Sequence, residues 1–246
     1  MFRFYKEAYA SITDFSFYRT VFEQPPRKTI LYVLLLAVHT AVVLTAVTAV
    51  HSTRMLTWAA ENFPALEVQE SGLEVDAEQP FILKYPGPNV VTFVFDTTGA
   101  HADSRQLSEP AVLFTKTQLH VLYLGRVQTY NWVDLPFRRL EDLVQVAKWV
   151  FLPTAFFVIF TYALAEKAVL VLLLSSIALV ATTGYGIRLP FVQYLAIASY
   201  SLTPAVTIEL AVSLTGMGSW VLSMICVLTA AIYAYMAAQR CVVIES

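Results

Sequence analysis

Charge is what this chain of 246 residues has least of: Asp, Glu, Lys and Arg make up 14% of it, against 57% hydrophobic residues. A soluble domain carries about 25% charged and 45–50% apolar residues, so the composition excludes an ordinary soluble protein and points to a membrane protein. Cysteine is scarce as well. Cys226 lies inside an apolar segment and Cys241 just beyond its end, so there is no disulfide framework, and the polar part of the chain must be held by burial and hydrogen bonds alone. No Gly-rich phosphate loop is present. No internal repeat is visible, and a net charge of −2 gives no reason to expect nucleic acid as a partner.

The few charges are unevenly placed. Residues 1–28 carry five Lys/Arg against three acids, and residues 51–148 carry eight against twelve. Beyond Lys148 only Glu166, Lys167, Arg188, Glu209, Arg240 and Glu245 remain. The pattern is that of a hydrophobic body enclosing one polar domain of about a hundred residues.

Crossing the bilayer core takes about 20 helical residues. The run "TILYVLLLAVHTAVVLTAVTAV", 29–50, meets that length directly after "PPRK". A signal-peptide core runs about 7–15 residues behind a short basic stretch, so this longer run behind a 28-residue lead reads as an uncleaved anchor. Four further spans are expected at 147–165, 168–186, 191–212 and 220–238, leaving a short tail at 239–246. Glu166 and Lys167 separate the second and third. One helix through both runs would be about 60 Å long, so the charged pair is expected to mark a tight hairpin.

The positive-inside tendency assigns Arg27 and Lys28 to the cytoplasm and residues 51–146 to the far side. With five spans the C-terminus is then outside, where Arg240 conflicts with the rule. Ahead of the first span, eight of the first 22 residues are aromatic. Phe2, Tyr5, Tyr9 and Ile12 share a helical face, which suits either an interfacial helix or a helix packed under the bundle.

The polar domain reads as β, with helix expected to continue the adjoining spans over about 52–63 and 137–146. "LEVQESGLEVD" is two alternating runs around Ser-Gly, and "PFILKY", "VVTFVFD", "AVLFTKTQLHVLYL" and "RVQTYNWV" are rich in β-branched and aromatic residues. Pro86-Gly87-Pro88-Asn89, Thr98-Gly99 and Gly125 supply the turns.

These pieces, in the order "PPRKTILYVLLL", "FPALEVQESGLEVD", "PFIL", "VFDTTG" and "ASYSLTPAV", resemble the bacterial membrane family catalogued as domain of unknown function 1189. That family is itself thought to be distantly similar to Yip-type five-span membrane proteins. The resemblance implies an integral membrane α-helical bundle of five spans with an inserted extracytoplasmic, mainly β domain in the bacterial cytoplasmic membrane. It implies no substrate, cofactor or catalytic residue.

Asp96, in "VVTFVFDTTG", resembles the way several enzymes present a carboxylate at a strand tip. An aspartic protease needs two such groups sharing a proton, and there is one copy here, with Thr97 inserted. Asp96, Thr98 and Gly99 are therefore expected to shape a turn and to serve as family markers. His101, His120, Asp96 and Asp103 match no metal-ligand spacing, and no cofactor is expected.

Polar groups within spans are costly in lipid and mark function by default. His39 lies about 16 Å into the first span, and Glu209 only about 7 Å from the cytoplasmic end of the fourth. A His39–Glu209 pair would have to bridge about 9 Å of depth, which leaves Ser213 or the interface as other partners for Glu209. Pro204 frees the carbonyl of Tyr200, and Ser199, Ser201 and Thr203 are expected to satisfy it. Two functions follow. The first is a non-enzymatic protein, held in the lipid bilayer, whose outside β domain binds a membrane or envelope protein partner as scaffold, accessory or sensor. The second is a small transporter using Glu209, His39 and the Pro204 kink.

Overall fold

Nothing between Leu152 and Thr183 breaks a helix: Pro153 sits in the first turn, where its missing N–H costs nothing, and no glycine or further proline follows. The chain accordingly forms one helix over all 32 residues, about 48 Å long. The hairpin expected at Glu166–Lys167 is therefore absent, and the second and third predicted spans are one element. Glutamate, lysine and the alanines around them are good helix formers, and a charge by itself ends no helix when a partner neutralises it.

In the computed structural model the described residues are 2–69, 71–86, 90–99, 110–123, 125–134, 150–183, 189–214 and 220–242. Two units emerge, a helical one formed by 1–47 with 154–246 and a sheet unit formed by 48–153. The helices are α1 (Phe2–Thr13), α2 (Phe17–Phe22), α3 (Pro26–Asn62), α4 (Leu152–Thr183), α5 (Phe191–Ser213) and α6 (Trp220–Val242). Among the described residues α3, α4 and α5 are long and apolar enough to cross a membrane, and α6 contains a shorter apolar stretch, Met224–Gln239. A membrane helical bundle with a sheet domain is the architecture these elements form.

The helical unit is organised around α5, where thirteen of 23 residues are buried, from Tyr194 to Leu210. Many of its inward residues are small or hydroxylated (Ala196, Ala198, Ser199, Ser201, Thr203, Ala205) and sit among Ile197, Leu202 and Val206, so neighbouring backbones can approach closely, as in membrane helices. On α4 the large apolar residues face outward: Phe157, Val158, Tyr162, Leu172, Leu173 and Val180 are exposed. Its buried stripe is Ala163, Lys167, Val171, Leu174, Ser175, Ala178 and Thr182, at the three- and four-residue spacing of one helix face. Large groups outside and small or polar groups inside is the reverse of a soluble helix and suits a lipid surround. Hydroxyls along these helices satisfy themselves on the carbonyl one turn back, as Ser175 does on Val171 and Ser176 on Leu172.

The N-terminal segment packs against the bundle, the second of its two readings. Tyr18 and Val21 of α2 are buried beside Ala196, Ile197, Tyr200, Ala237 and Ala238, and the Tyr233 hydroxyl donates to the Ile12 carbonyl. Tyr9 is exposed, and Tyr5 is half exposed with its ring edge-on to His39 of α3. The start of α5 and the end of α6 therefore lie at the same end of the unit as α1, α2 and the start of α3. That arrangement overturns the expected placing of the last helix end opposite the N-terminus, an error that followed from counting one helix as two.

In the sheet unit, β1 (Leu66–Gln69) and β2 (Gly72–Val75) form the expected hairpin. A five-stranded sheet follows in the order β3 (Phe81–Lys84), β4 (Thr92–Phe95), β5 (Ala111–Phe114), β6 (Gln118–Tyr123), β7 (Arg126–Asn131). β4 and β5 are parallel and the other neighbours antiparallel. The single run read as "AVLFTKTQLHVLYL" is two strands, split where the Thr115 hydroxyl and the Gln118 backbone exchange hydrogen bonds. α3 extends to Asn62, as expected for 52–63. Trp58 and Phe63 pack on Phe93, and Phe63 also meets Phe95 and Phe114, an aromatic core that stabilises a unit with no cysteine. The helix expected at 137–146 and the turn residues Gly87, Pro88 and Asn89 lie outside the described residues.

Candidate functional site

Glu209 finds its partner not in His39 but in Lys167. The Lys167 ammonium is 1% exposed and lies 3.0 Å from Glu209 Oε2 and 2.9 Å from Glu166 Oε2. Both carboxylate side chains keep about a third of their surface open, 34% for Glu166 and 32% for Glu209. Lys167 occupies the middle of the buried stripe of α4, and its flexible stem carries the charge into the contact with α5. A charged side chain placed singly at a helix centre costs about 2.5–3.5 kcal/mol to insert in lipid. Here each charge is hydrogen-bonded to an opposite one, which offsets most of that cost.

A second tie fixes the geometry. The hydroxyls of Thr182 on α4 and Tyr194 on α5 hydrogen-bond to each other. Lys167 to Thr182 and Tyr194 to Glu209 are both fifteen residues, so the two antiparallel helices keep one register over about 22 Å. Between the ties, Glu166, Lys167 and Glu209 line a cleft of about 110 Å³, walled by Leu174, Leu202 and Val206 and closed by Cys226 of α6. Among the described residues no group of three or more His, Cys, Asp or Glu is arranged to hold a metal ion.

The direction of α5 explains why the His39–Glu209 comparison failed. α3 and α5 begin at the same end, with Tyr32 stacked on Tyr200 at 3.8 Å between ring centroids, so the two residues were placed at unequal depths by the wrong helix direction. The His39 ring lies edge-on to Tyr5, and Ser213 donates to the Glu209 backbone carbonyl rather than its carboxylate. At Pro204 the hydroxyls behave differently from expectation. Ser199 donates to Leu195, Ser201 donates to Ile197, and Thr203 hydrogen-bonds the Tyr32 hydroxyl, so none of the three turns to the carbonyl of Tyr200. Their spacing fits carbonyls one turn earlier, as any helical serine prefers.

A further polar cluster sits at the N-terminal end. The Tyr200 hydroxyl donates to Gln24 Oε1 at 2.9 Å and lies 3.1 Å from Glu7 Oε2. Glu7 Oε1 in turn meets Arg3 at 3.1 Å and Lys28 at 3.7 Å. Burial pushes the Tyr18 hydroxyl, which donates to the Ser11 carbonyl, well above the ordinary phenol range.

In the sheet unit Asp96 is 1% exposed. Its Oδ1 accepts the Thr98 amide at 2.9 Å, the Thr98 hydroxyl at 2.6 Å and the Gly99 amide at 3.0 Å. Gly99 takes a φ of 85°, and Thr97 is tied by its amide and hydroxyl to Gln79 Oε1. The expected turn is present, and the carboxylate serves it. His120 Nδ1 lies 3.0 Å from the Thr129 hydroxyl, and desolvation holds the imidazole below its ordinary range. His101 and Asp103 lie outside the described residues.

Sequence reasoning missed Lys167 because it assigned that residue to a loop. The stripe of Ala163, Lys167, Val171, Leu174, Ala178 and Thr182 was the available signal, since it continues unbroken through the charged pair.

Comparison with known proteins gives one match and two blanks. No curated protein and no solved structure matches the chain. The family described as "Protein of unknown function (DUF1189)" matches residues 5–238, nearly the whole length, and the chain belongs to that family.

Proposed function

We propose that this DUF1189 protein is a non-enzymatic, multi-pass protein of the bacterial cytoplasmic membrane whose sheet unit lies outside and binds a partner protein or envelope component. The observation that carries the reading is the last strand. All six residues of β7 are exposed, Val127 and Tyr130 among them, and among the described residues no strand pairs its outer edge. Such an edge offers a row of free N–H and C=O groups, the usual template for an added strand. The Asp96 carboxylate, the feature of the sequence most like a catalytic group, is engaged in its own turn. The expected test is co-purification from mild detergent with the full chain. Val127→Lys together with Tyr130→Lys, which places charges along the edge, is expected to lose the partner at least tenfold, while Glu209→Gln retains it. An inert lysine pair combined with loss on Glu209→Gln transfers the case to the alternative, a small transporter, which the cleft beside Glu166, Lys167 and Glu209 favours.

The membrane layout in this proposal has four crossings, α3, α4, α5 and α6, rather than five. With Arg27 and Lys28 in the cytoplasm, the segment carrying Arg188 and the tail after Arg240 also come to the cytoplasmic side. The conflict over Arg240 disappears, and α1 and α2 lie at the cytoplasmic face with Tyr5 and Tyr9 toward the headgroups. A fluorescent protein fused after Ser246 is expected to mature and fluoresce in living cells, and a periplasm-dependent phosphatase fused there to stay inactive. The opposite pair of results restores an odd number of crossings.

A further inference from the structure

The ion cluster on α4 and α5 does not balance its charge. Glu166 and Glu209 contribute two negative charges and Lys167 one positive, so the fully ionised cluster carries −1. Its depth makes that imbalance matter. Lys167 lies fifteen residues from Leu152 and sixteen from Thr183, about 22–24 Å of helix on either side. The hydrocarbon core is about 30 Å thick against a helix of about 48 Å, so at most about 18 Å of α4 projects beyond it. A core of that thickness placed within α4 includes Lys167 at every position it can take.

Two N–H groups of Lys167 are spent on Glu166 Oε2 and Glu209 Oε2. Among the described residues no other hydrogen bond reaches either carboxylate, about a third of each side chain is exposed, and both residues line the cleft. Among the described residues, the groups facing the pair from other elements offer no second positive charge. α6 brings Cys226 and Val227. α3 brings Leu36, Val43 and Leu44 to the same packing cluster, and α1 brings Phe4, while His39 of α3 lies against Tyr5. The cleft's 110 Å³ has room for a few waters, each needing about 10–15 Å³ on this measure.

We propose that the Glu166–Lys167–Glu209 cluster is a binding site for one proton, held between its two carboxyl groups within the bilayer core. A hydronium ion in the cleft gives its proton to a carboxylate oxygen and leaves as water. One O–H bond forms and one breaks, and the cluster passes from −1 to neutral, as Lys167⁺, one carboxylate and one carboxylic acid. The site is independent of the sheet unit and of any partner bound there, so partner capture that survives loss of the proton sinks neither proposal.

The test is infrared difference spectroscopy of the full chain in lipid nanodiscs, titrated from alkaline to acid pH. The chain carries 18 Asp and Glu, so each spectrum is read after subtraction of the Glu166→Gln/Glu209→Gln double variant, and the wild type is then expected to keep the C=O band of one protonated carboxyl, shifting to lower frequency in D₂O. Glu166→Gln and Glu209→Gln are each expected to abolish it, because either leaves Lys167 with a single carboxylate and no residual charge. A band lost in only one variant assigns the proton to an isolated carboxyl and overturns the shared site, as does a band that persists in both. Absence of the band from the wild type at every pH also overturns it. A wild-type midpoint that moves when Na⁺ is replaced by choline identifies a metal cation in place of the proton.

Discussion

Lys167→Met is expected to destabilise the helical unit by about 3–5 kcal/mol, the range for removing one partner of a buried ion pair and stranding the other. Methionine fills the stem's volume, so the loss is electrostatic rather than a cavity. Glu166 and Glu209, each within 3.0 Å of the lost ammonium, would then face one another with no cation between them. The comparison with other variants makes the expectation sharp. Glu209→Gln leaves a neutral Lys167–Glu166 pair and is expected to melt within a few degrees of the wild type. Adding Glu209→Gln to Lys167→Met removes one of the two stranded charges and is expected to recover part of the loss. Melting of the purified full chain in detergent checks all three statements. A Lys167→Met protein that melts with the wild type at neutral pH removes the cluster from the forces holding α4 to α5.

Gly72→Ala is expected to be the most damaging change in the sheet unit, at about 3 kcal/mol or more. Its φ of 121° is a conformation that side-chain-bearing residues avoid at a cost of about 1–3 kcal/mol. The surroundings add to this: a Cβ at residue 72 would fall 2.2 Å from the Lys116 carbonyl oxygen. That oxygen accepts the Leu73 amide at 2.7 Å, so moving it away breaks the bond that joins the β1–β2 hairpin to the turn between β5 and β6. Gly99→Ala is the control. Its φ of 85° is also unfavourable, but nothing lies within 4 Å of the added carbon, and the cost should stay near 1–2 kcal/mol. Limited proteolysis of the full chain, read by cleavage within residues 64–134, separates the two. Equal resistance of both variants would show that the 115–117 turn gives way freely.

The sheet unit was legible in the sequence because its signals are local. Alternation around Ser71-Gly72 marks a hairpin, and the Asp96–Gly99 turn is written in consecutive residues whose atoms bond one another. The parallel pairing of β4 with β5 was not legible, since strand direction depends on the connection and not on either strand. The helical unit was misread where local and distant information conflict. Glu166-Lys167 resembles a loop when seen alone, and its neutralising partner is 42 residues away. Once two helices were inferred in place of one, the direction of α5 relative to α3 and the level of Glu209 along it were inverted together. The residues of the candidate site were partly identified, Glu209 by its cost in lipid. Lys167 was hidden by the assumption that a lysine in an apolar run must end it.

The contacts of α1 and α2 also constrain the order in which the protein is built. Glu7 and Gln24 reach Tyr200 across 193 and 176 residues of chain, and Ile12 reaches Tyr233 across 221. These first helices emerge from the ribosome before any of their partners exist. At about 5–20 residues per second, they wait about 10–40 s for α5 to be synthesised. Until then, Tyr18 and Val21 lack the α5 and α6 residues they pack against, while Glu7 already has Arg3 on its own helix. The native contacts of α1 and α2 thus depend on helices made long after them.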